Sequence, residues 1–211
     1  MYELLVLSLL MHWPLHAYLI VKMSNNILGP DETLSRGTLS SLLEKLERDG
    51  LITGADPKQV PFPSDRPSRV LAITPSGRER FAQLMLDTTV HSGFYRRLFH
   101  IKALHLELLP IEQQLFLVAH YLHYCQGLIR SKQAEAQAFA ADSGKRVYMG
   151  EAFWEAAQEF MRLKVEQWQI ELAWVQSLQE RILSRLKLRA GAASMPLEGK
   201  IQEVSITGDN L

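Results

Sequence analysis

Ser35-Arg36-Gly37-Thr38-Leu39-Ser40-Ser41-Leu42-Leu43-Glu44-Lys45-Leu46-Glu47-Arg48-Asp49-Gly50-Leu51-Ile52 is the stretch on which the fold turns. Its leucines at 39, 42, 43 and 46 recur at i, i+3, i+4 and i+7, which is one apolar stripe of an α-helix. Ser35 or Thr33 serves as the N-cap, and Asp49-Gly50 is a stop signal. With the leucines turned inward, the opposite face carries Gly37, Thr38, Ser41, Glu44, Lys45 and Arg48. A glycine and small hydroxyls at the first turn permit close approach to a partner, and Lys45 and Arg48 reach phosphates.

Beyond the stop the period changes. Leu51-Ile52-Thr53 reads as a short strand and 69–73 as a second one. Between them, residues 54–68 hold Pro57, Pro61, Pro63 and Pro67, which excludes helix and leaves a long, stiffened hairpin bearing Arg66 and Arg69. Thr74-Pro75 restarts helix, with threonine as N-cap and proline at the first helical position. Upstream, residues 2–13 read as a helix buried almost all round, ended by Pro14. Residues 15–27 carry a second short helix, and Gly29-Pro30-Asp31-Glu32 is a loop. Helix, helix, loop, capped helix, strand, hairpin, strand is the order of a winged helix-turn-helix, whose third helix enters the major groove while the hairpin touches flanking backbone. Residues 33–80 hold eight basic and six acidic side chains, a net of only +2, with Arg66 and Arg69 concentrating charge on the hairpin.

The remainder reads helical: 77–91, 94–108, a break at Leu109-Pro110, 111–141, an interruption at Asp142-Ser143-Gly144, and 147–188. In the last run Trp154, Ala157, Met161, Val165, Trp168, Leu172, Val175, Leu178, Ile182 and Leu186 recur at spacings of three and four, flanked by Phe153, Phe160, Leu163, Ile170 and Trp174. A helix of about 40 residues spans about 60 Å, more than a small domain can bury. Antiparallel packing on the 111–141 helix plus a second copy of the chain is the economical arrangement. The organisation expected is mainly α: a winged helix-turn-helix DNA-binding domain over 1–91, a helical, coiled-coil-like dimerisation and effector domain over 92–189, and a flexible tail over 190–211. Trp154, Met161, Val165, Trp168, Leu172, Val175 and Ile182 are the candidate dimer core, or the walls of an apolar pocket for a flat ligand.

Ser35-Arg36-Gly37-Thr38-Leu39, the leucine-rich helix after it and Gly50-Leu51-Ile52 resemble the PadR family of bacterial transcriptional regulators. His16-Ala17-Tyr18 is similar to that family's Gly-Tyr turn, and Ile73-Thr74-Pro75-Ser76-Gly77-Arg78 to its Leu-Thr-x-x-Gly-Arg after the wing. The resemblance covers 2–90 with specific motifs and continues more loosely through helices like those of the family's long form. Ser40, Arg36 and Ala17 stand where the family carries tyrosine, proline and glycine. The resemblance implies a homodimeric repressor, less often an activator, that binds a double-stranded operator and is tuned by a small aromatic or drug-like molecule. A cytoplasmic location is expected from the single cysteine and from the reading of residues 4–21 as two buried helices. Its DNA-facing set here is Tyr18, Ser35, Arg36, Gly37, Thr38, Ser40, Ser41, Lys45, Arg48, Arg66 and Arg69.

The rest of the 211 residues narrows the alternatives. Apolar residues make up 47% and charged ones 22%, and 23 bases balance 23 acids, as in an ordinary globular protein. The single cysteine, Cys125, excludes a disulfide scaffold, and the nearest basic residue, Arg130, is five positions away, so an inert buried thiol is expected. Residues 4–21 are eighteen positions without a formal charge, yet Pro14, His12, Trp13 and His16 split them, so two buried helices are expected rather than a membrane span. His120 and His123 lie one turn apart with no carboxylate to complete a ligand set, so no metal site and no cofactor are expected. No phosphate-binding loop, dinucleotide glycine pattern, Gly-x-Ser-x-Gly or His-Glu-x-x-His motif points to an enzyme. The rival reading is a winged-helix adapter that docks on protein instead of DNA.

Overall fold

The computed structural model describes residues 1–30, 33–61, 68–91 and 93–193. Its elements run α1 (Tyr2–Leu10), β1 (Leu15–His16), α2 (Ala17–Leu28), α3 (Arg36–Arg48), β2 (Ile52–Gly54), β3 (Val70–Ile73), α4 (Pro75–Leu86), α5 (Tyr95–Leu104), α6 (Ile111–Ala141), α7 (Ser143–Met149) and α8 (Glu151–Ala193). Short 3-10 turns occupy Pro57–Gln59 and Leu106–Leu108. The fold is mainly helical, a winged helix-turn-helix followed by long helices.

α1 lies at the centre of the first part because residues 4–10 are apolar or small on every side. Ser8, fully buried, returns its hydroxyl to the Leu5 carbonyl at 2.9 Å, so its burial leaves no donor unpaired. The sheet has the order β1-β3-β2, with β3 antiparallel to both neighbours: Leu15 faces Leu71, and Ile52 faces Ile73. β1 replaces the expected start of the second helix. Two residues carry no readable period, and the strand forms because β3 offers it hydrogen bonds from more than fifty residues away. The first helix also ends three residues before the expected position, leaving His12 and Trp13 in the turn before Pro14.

Further boundaries shift: α4 ends at Leu86, five residues before the expected 91, and α5 at Leu104, four before the expected 108. The chain breaks at Asp142 as expected, but helix resumes at Ser143, and a second break falls at Gly150, at φ +77 where a side chain would be strained, so 147–188 is divided between α7 and α8. α8 continues to Ala193, inside the expected tail, and residues 194–211 lie outside the described residues.

α6 and α8 form an antiparallel pair, as expected. The pairing corrects the expected dimer core, because Trp154, Val175, Leu178 and Ile182 are buried within the chain itself. Trp154 stacks on Phe139 of α6 with ring centroids 4.2 Å apart. The flanking row instead faces outward, with Phe153, Phe160 and Ile170 58%, 58% and 73% exposed.

Candidate nucleic-acid interface

α3 is held at both ends. Ser35 is the N-cap: its Oγ accepts from the Thr38 backbone N–H at 3.1 Å and shares a hydrogen bond with Thr38 Oγ1 at 2.9 Å. At the other end Gly50, at φ +70, donates to the Glu47 carbonyl at 3.0 Å while Leu51 donates to the Leu46 carbonyl at 2.9 Å. This is a Schellman closure with its Leu46–Leu51 apolar pair. Thr74 then ties the end of the wing to the end of α3. Its hydroxyl donates to the Gly50 carbonyl at 2.7 Å and accepts from Gly77 N–H at 3.0 Å, capping α4.

Leu39, Leu43 and Leu46 anchor α3 in the core. Leu42, expected to be a core position with them, is only half-buried at the stripe's edge. The opposite face places Arg36, Gly37, Thr38, Ser40, Ser41, Glu44, Lys45 and Arg48 together in solvent. Among the described residues Arg36, Lys45 and Arg48 make no ion pair, while Ser40 Oγ reaches Glu44 Oε1 at 3.5 Å. A Cβ added to Gly37 would meet only Ser35 Oγ, at 3.9 Å, so packing inside the chain does not demand a glycine there.

A groove of about 570 Å³ runs between α2 and α3, lined by Ala17, Tyr18, Val21, Lys22, Arg36, Leu39, Ser40 and Leu43. It brings Tyr18, Arg36 and Ser40 side by side, which sequence spacing cannot show. It also adds Lys22, exposed and one helical turn after Tyr18, which the sequence reading missed although the i, i+4 spacing was there to find it. The two helices keep this relation through Asn25, whose Oδ1 accepts from Leu34 N–H at 2.7 Å and whose Nδ2 donates to the Leu34 carbonyl at 3.2 Å.

The wing divides the expected pair of arginines. Arg69 is salt-bridged to Glu47 of α3, so in the unbound chain its charge is engaged and must exchange partners to meet a phosphate. Arg66 lies outside the described residues.

The second set of expected residues separates into three surroundings. Trp154, Val175 and Ile182 are core. Met161 and Val165 line a shallow groove of about 310 Å³ between α6 and α8. Trp168 and Leu172 are half-buried, with the Arg96 guanidinium 5.4 Å from the Trp168 ring centre and Tyr124 edge-on to it at 5.8 Å. Beside them sits Glu171, only 5% exposed, which the sequence reading overlooked. Its carboxylate accepts from Tyr121 Oη at 2.9 Å, His100 Nε2 at 2.7 Å and Arg96 Nε at 2.9 Å. Burial alone would push this carboxyl up, yet the His100 and Tyr121 hydrogen bonds and the guanidinium hold it below the usual carboxylate range. The signal was an acid at i+3 from Trp168 and i−4 from Val175, on the inward stripe. Nearby, Cys125 is fully buried and its thiol is pushed up to about 12 by burial first and Glu171 second, as an unreactive thiol should be.

Residues 6–83 match the family model described as Transcriptional regulator PadR-like family. The chain is similar to solved structures over most of its length. Against Bacillus subtilis PadR in complex with operator DNA it is 17% identical, covering 85% of this chain and 98% of that one at a TM-score of 0.35. Against the same protein in complex with p-coumaric acid it is 18% identical, with 85% and 97% covered at a TM-score of 0.34. Against the Vibrio cholerae virulence activator AphA it is 16% identical, with 88% and 99% covered at a TM-score of 0.36. No curated protein matches the chain. No helix among the described residues is long and apolar enough to cross a membrane.

Proposed function

We propose that this chain is a homodimeric, sequence-specific transcriptional regulator that represses from a double-stranded operator, with residues 1–91 as the reading unit and 92–189 as the dimerisation and effector unit. The observation that carries this is the outward face of α3. On one capped helix stand three cations that make no ion pair among the described residues, a glycine that packing does not require and a run of hydroxyls, inside the segment that matches the PadR-like family. α3 enters the major groove, with Thr38 and Ser41 against base edges and Lys45 and Arg48 on phosphates; Tyr18, Lys22, Arg36 and Ser40 meet the backbone at the groove's rim. A second copy covers Phe153, Phe160, Leu163 and Ile170, an apolar row too regular for solvent. A small aromatic effector bound near Trp168 releases the operator.

The test is a salt titration against DNA from upstream of the chain's own coding region and against a random duplex. A dimer neutralising about six to eight phosphates gives a slope of log affinity on log salt of about −5 to −7. Arg48→Ala removes one contact per protomer, so the slope becomes shallower by about 1.8 and both duplexes weaken alike. Thr38→Ala instead reduces specific binding by about 1–3 kcal/mol at nearly unchanged slope. A wild-type protein whose binding ignores salt would favour the protein-docking adapter.

A further inference from the structure

The turn that follows α1 and the connection between α5 and α6 meet at one point, where three side chains of metal-ligating type converge. His12 is exposed in the turn, His105 ends α5 and is 6% exposed, and Glu107 stands in the 3-10 turn with an exposed carboxylate. His12 Nε2 lies 3.3 Å from His105 Nδ1 and 4.0 Å from Glu107 Oε1, and one donor atom from each of the three falls within 4.8 Å of the others. Among the described residues no other group of three does so.

These separations are those of a coordination shell. Tetrahedral bonds of 2.0–2.1 Å require donor atoms about 3.3–3.4 Å apart. The two imidazoles already stand at that edge length, and the exposed carboxylate closes the second edge by a rotation about its side-chain bonds. The two facing nitrogens share one proton as a hydrogen bond, and both can turn lone pairs to one ion when each ring carries its proton on the far nitrogen.

We propose that His12, His105 and Glu107 bind one divalent transition-metal ion through Nε2, Nδ1 and a carboxylate oxygen, with water completing the shell. Two imidazoles and one carboxylate suit Zn²⁺ and its neighbours Co²⁺, Ni²⁺ and Cu²⁺, not the all-oxygen preference of Mg²⁺ or Ca²⁺. The ion joins the turn leading into β1, and so to the sheet of the winged helix, to the linker leading into α6. Occupancy stiffens the joint between the DNA-facing part and the long helices.

The experiment uses the tag-free full chain, without DNA, so its outcome is separate from the DNA reading. Co²⁺ titration should give the visible bands of a four-coordinate ion at one equivalent per chain, and Zn²⁺ should displace it and raise the melting temperature. His12→Ala and Glu107→Gln, both at exposed side chains, should each weaken binding by about 100-fold or more, as loss of a direct ligand exceeds loss of an outer-shell partner. His123→Ala, on α6, should change nothing. Absence of the four-coordinate spectrum, or a spectrum that survives both His12→Ala and Glu107→Gln, overturns the site.

Discussion

α1 and α8 are both rich in apolar side chains, and they are packed in opposite ways. α1 has nine residues and buries seven in succession, 4–10, between α2, α4 and the sheet. α8 has 43 residues and lays Trp154, Val175, Leu178 and Ile182 on α6 while Phe153, Phe160, Leu163 and Ile170 face solvent. The difference is one of length against surroundings. A short helix fits inside a three-sided enclosure, whereas one about 65 Å long outruns any small unit and is covered along one line only. The winged helix is therefore finished by its own chain, and the second half is left with a face for something else.

Breaking that comparison starts with its deepest residue. Leu7→Ala should cost about 2–5 kcal/mol in urea unfolding, since its site is enclosed on all sides. Ile170→Ser should stay within about 0.5 kcal/mol for the dissociated chain, while abolishing the concentration dependence of sedimentation that the proposed dimer requires. Equal costs for the two would mean that α8 is as enclosed as α1.

Next is the buried carboxylate that joins α5, α6 and α8. Glu171→Gln should cost about 1–3 kcal/mol at neutral pH, the lower part being expected because Arg96 and His100 are about half exposed and screened. Because this carboxyl is held below its ordinary pKa in the fold, its contribution is complete above the ordinary carboxylate range and is lost as pH falls through the folded value. Unfolding curves of the two proteins should therefore converge in acid. A gap that widened on acidification would reverse the assignment.

The last contrast sets two glycines of the winged helix side by side, and it ends on the smallest change in stability after that at Ile170. A Cβ on Gly77 would stand 2.0 Å from the Leu51 carbonyl oxygen and 2.7 Å from Ile73 Cγ1, so Gly77→Ala should cost about 1–3 kcal/mol by thermal melting. Gly37→Ala meets no such contact and, as a helical position, should be neutral or stabilising by up to about 1 kcal/mol, yet it should weaken operator binding. If Gly37→Ala left DNA binding untouched, no partner would approach that turn closely.

Local chemistry made the winged helix legible. The leucine stripe, the Ser35 and Thr74 caps, the Gly50 stop and the Pro110 break depend on neighbours within a few positions, and each stands where the sequence placed it. The α6–α8 pairing was also readable, from length and periodicity. What was not readable depended on distant partners. β1 exists because β3 pairs with it, Arg69 is engaged because Glu47 lies across from it, and Lys22 joins Tyr18 and Arg36 because Asn25 sets the angle of two helices.

The sequence by itself determined which faces of the helices are apolar, where most of them start, and which side chains of α3 point away from the core, because these follow from the period of the backbone and from local caps. Only the tertiary structure decided which apolar face is covered within the chain, that Glu171 is buried among three donors, and that His12 meets His105 and Glu107. Those outcomes turn on contacts between residues some fifty to ninety positions apart, where no local period carries information and packing alone selects the partner.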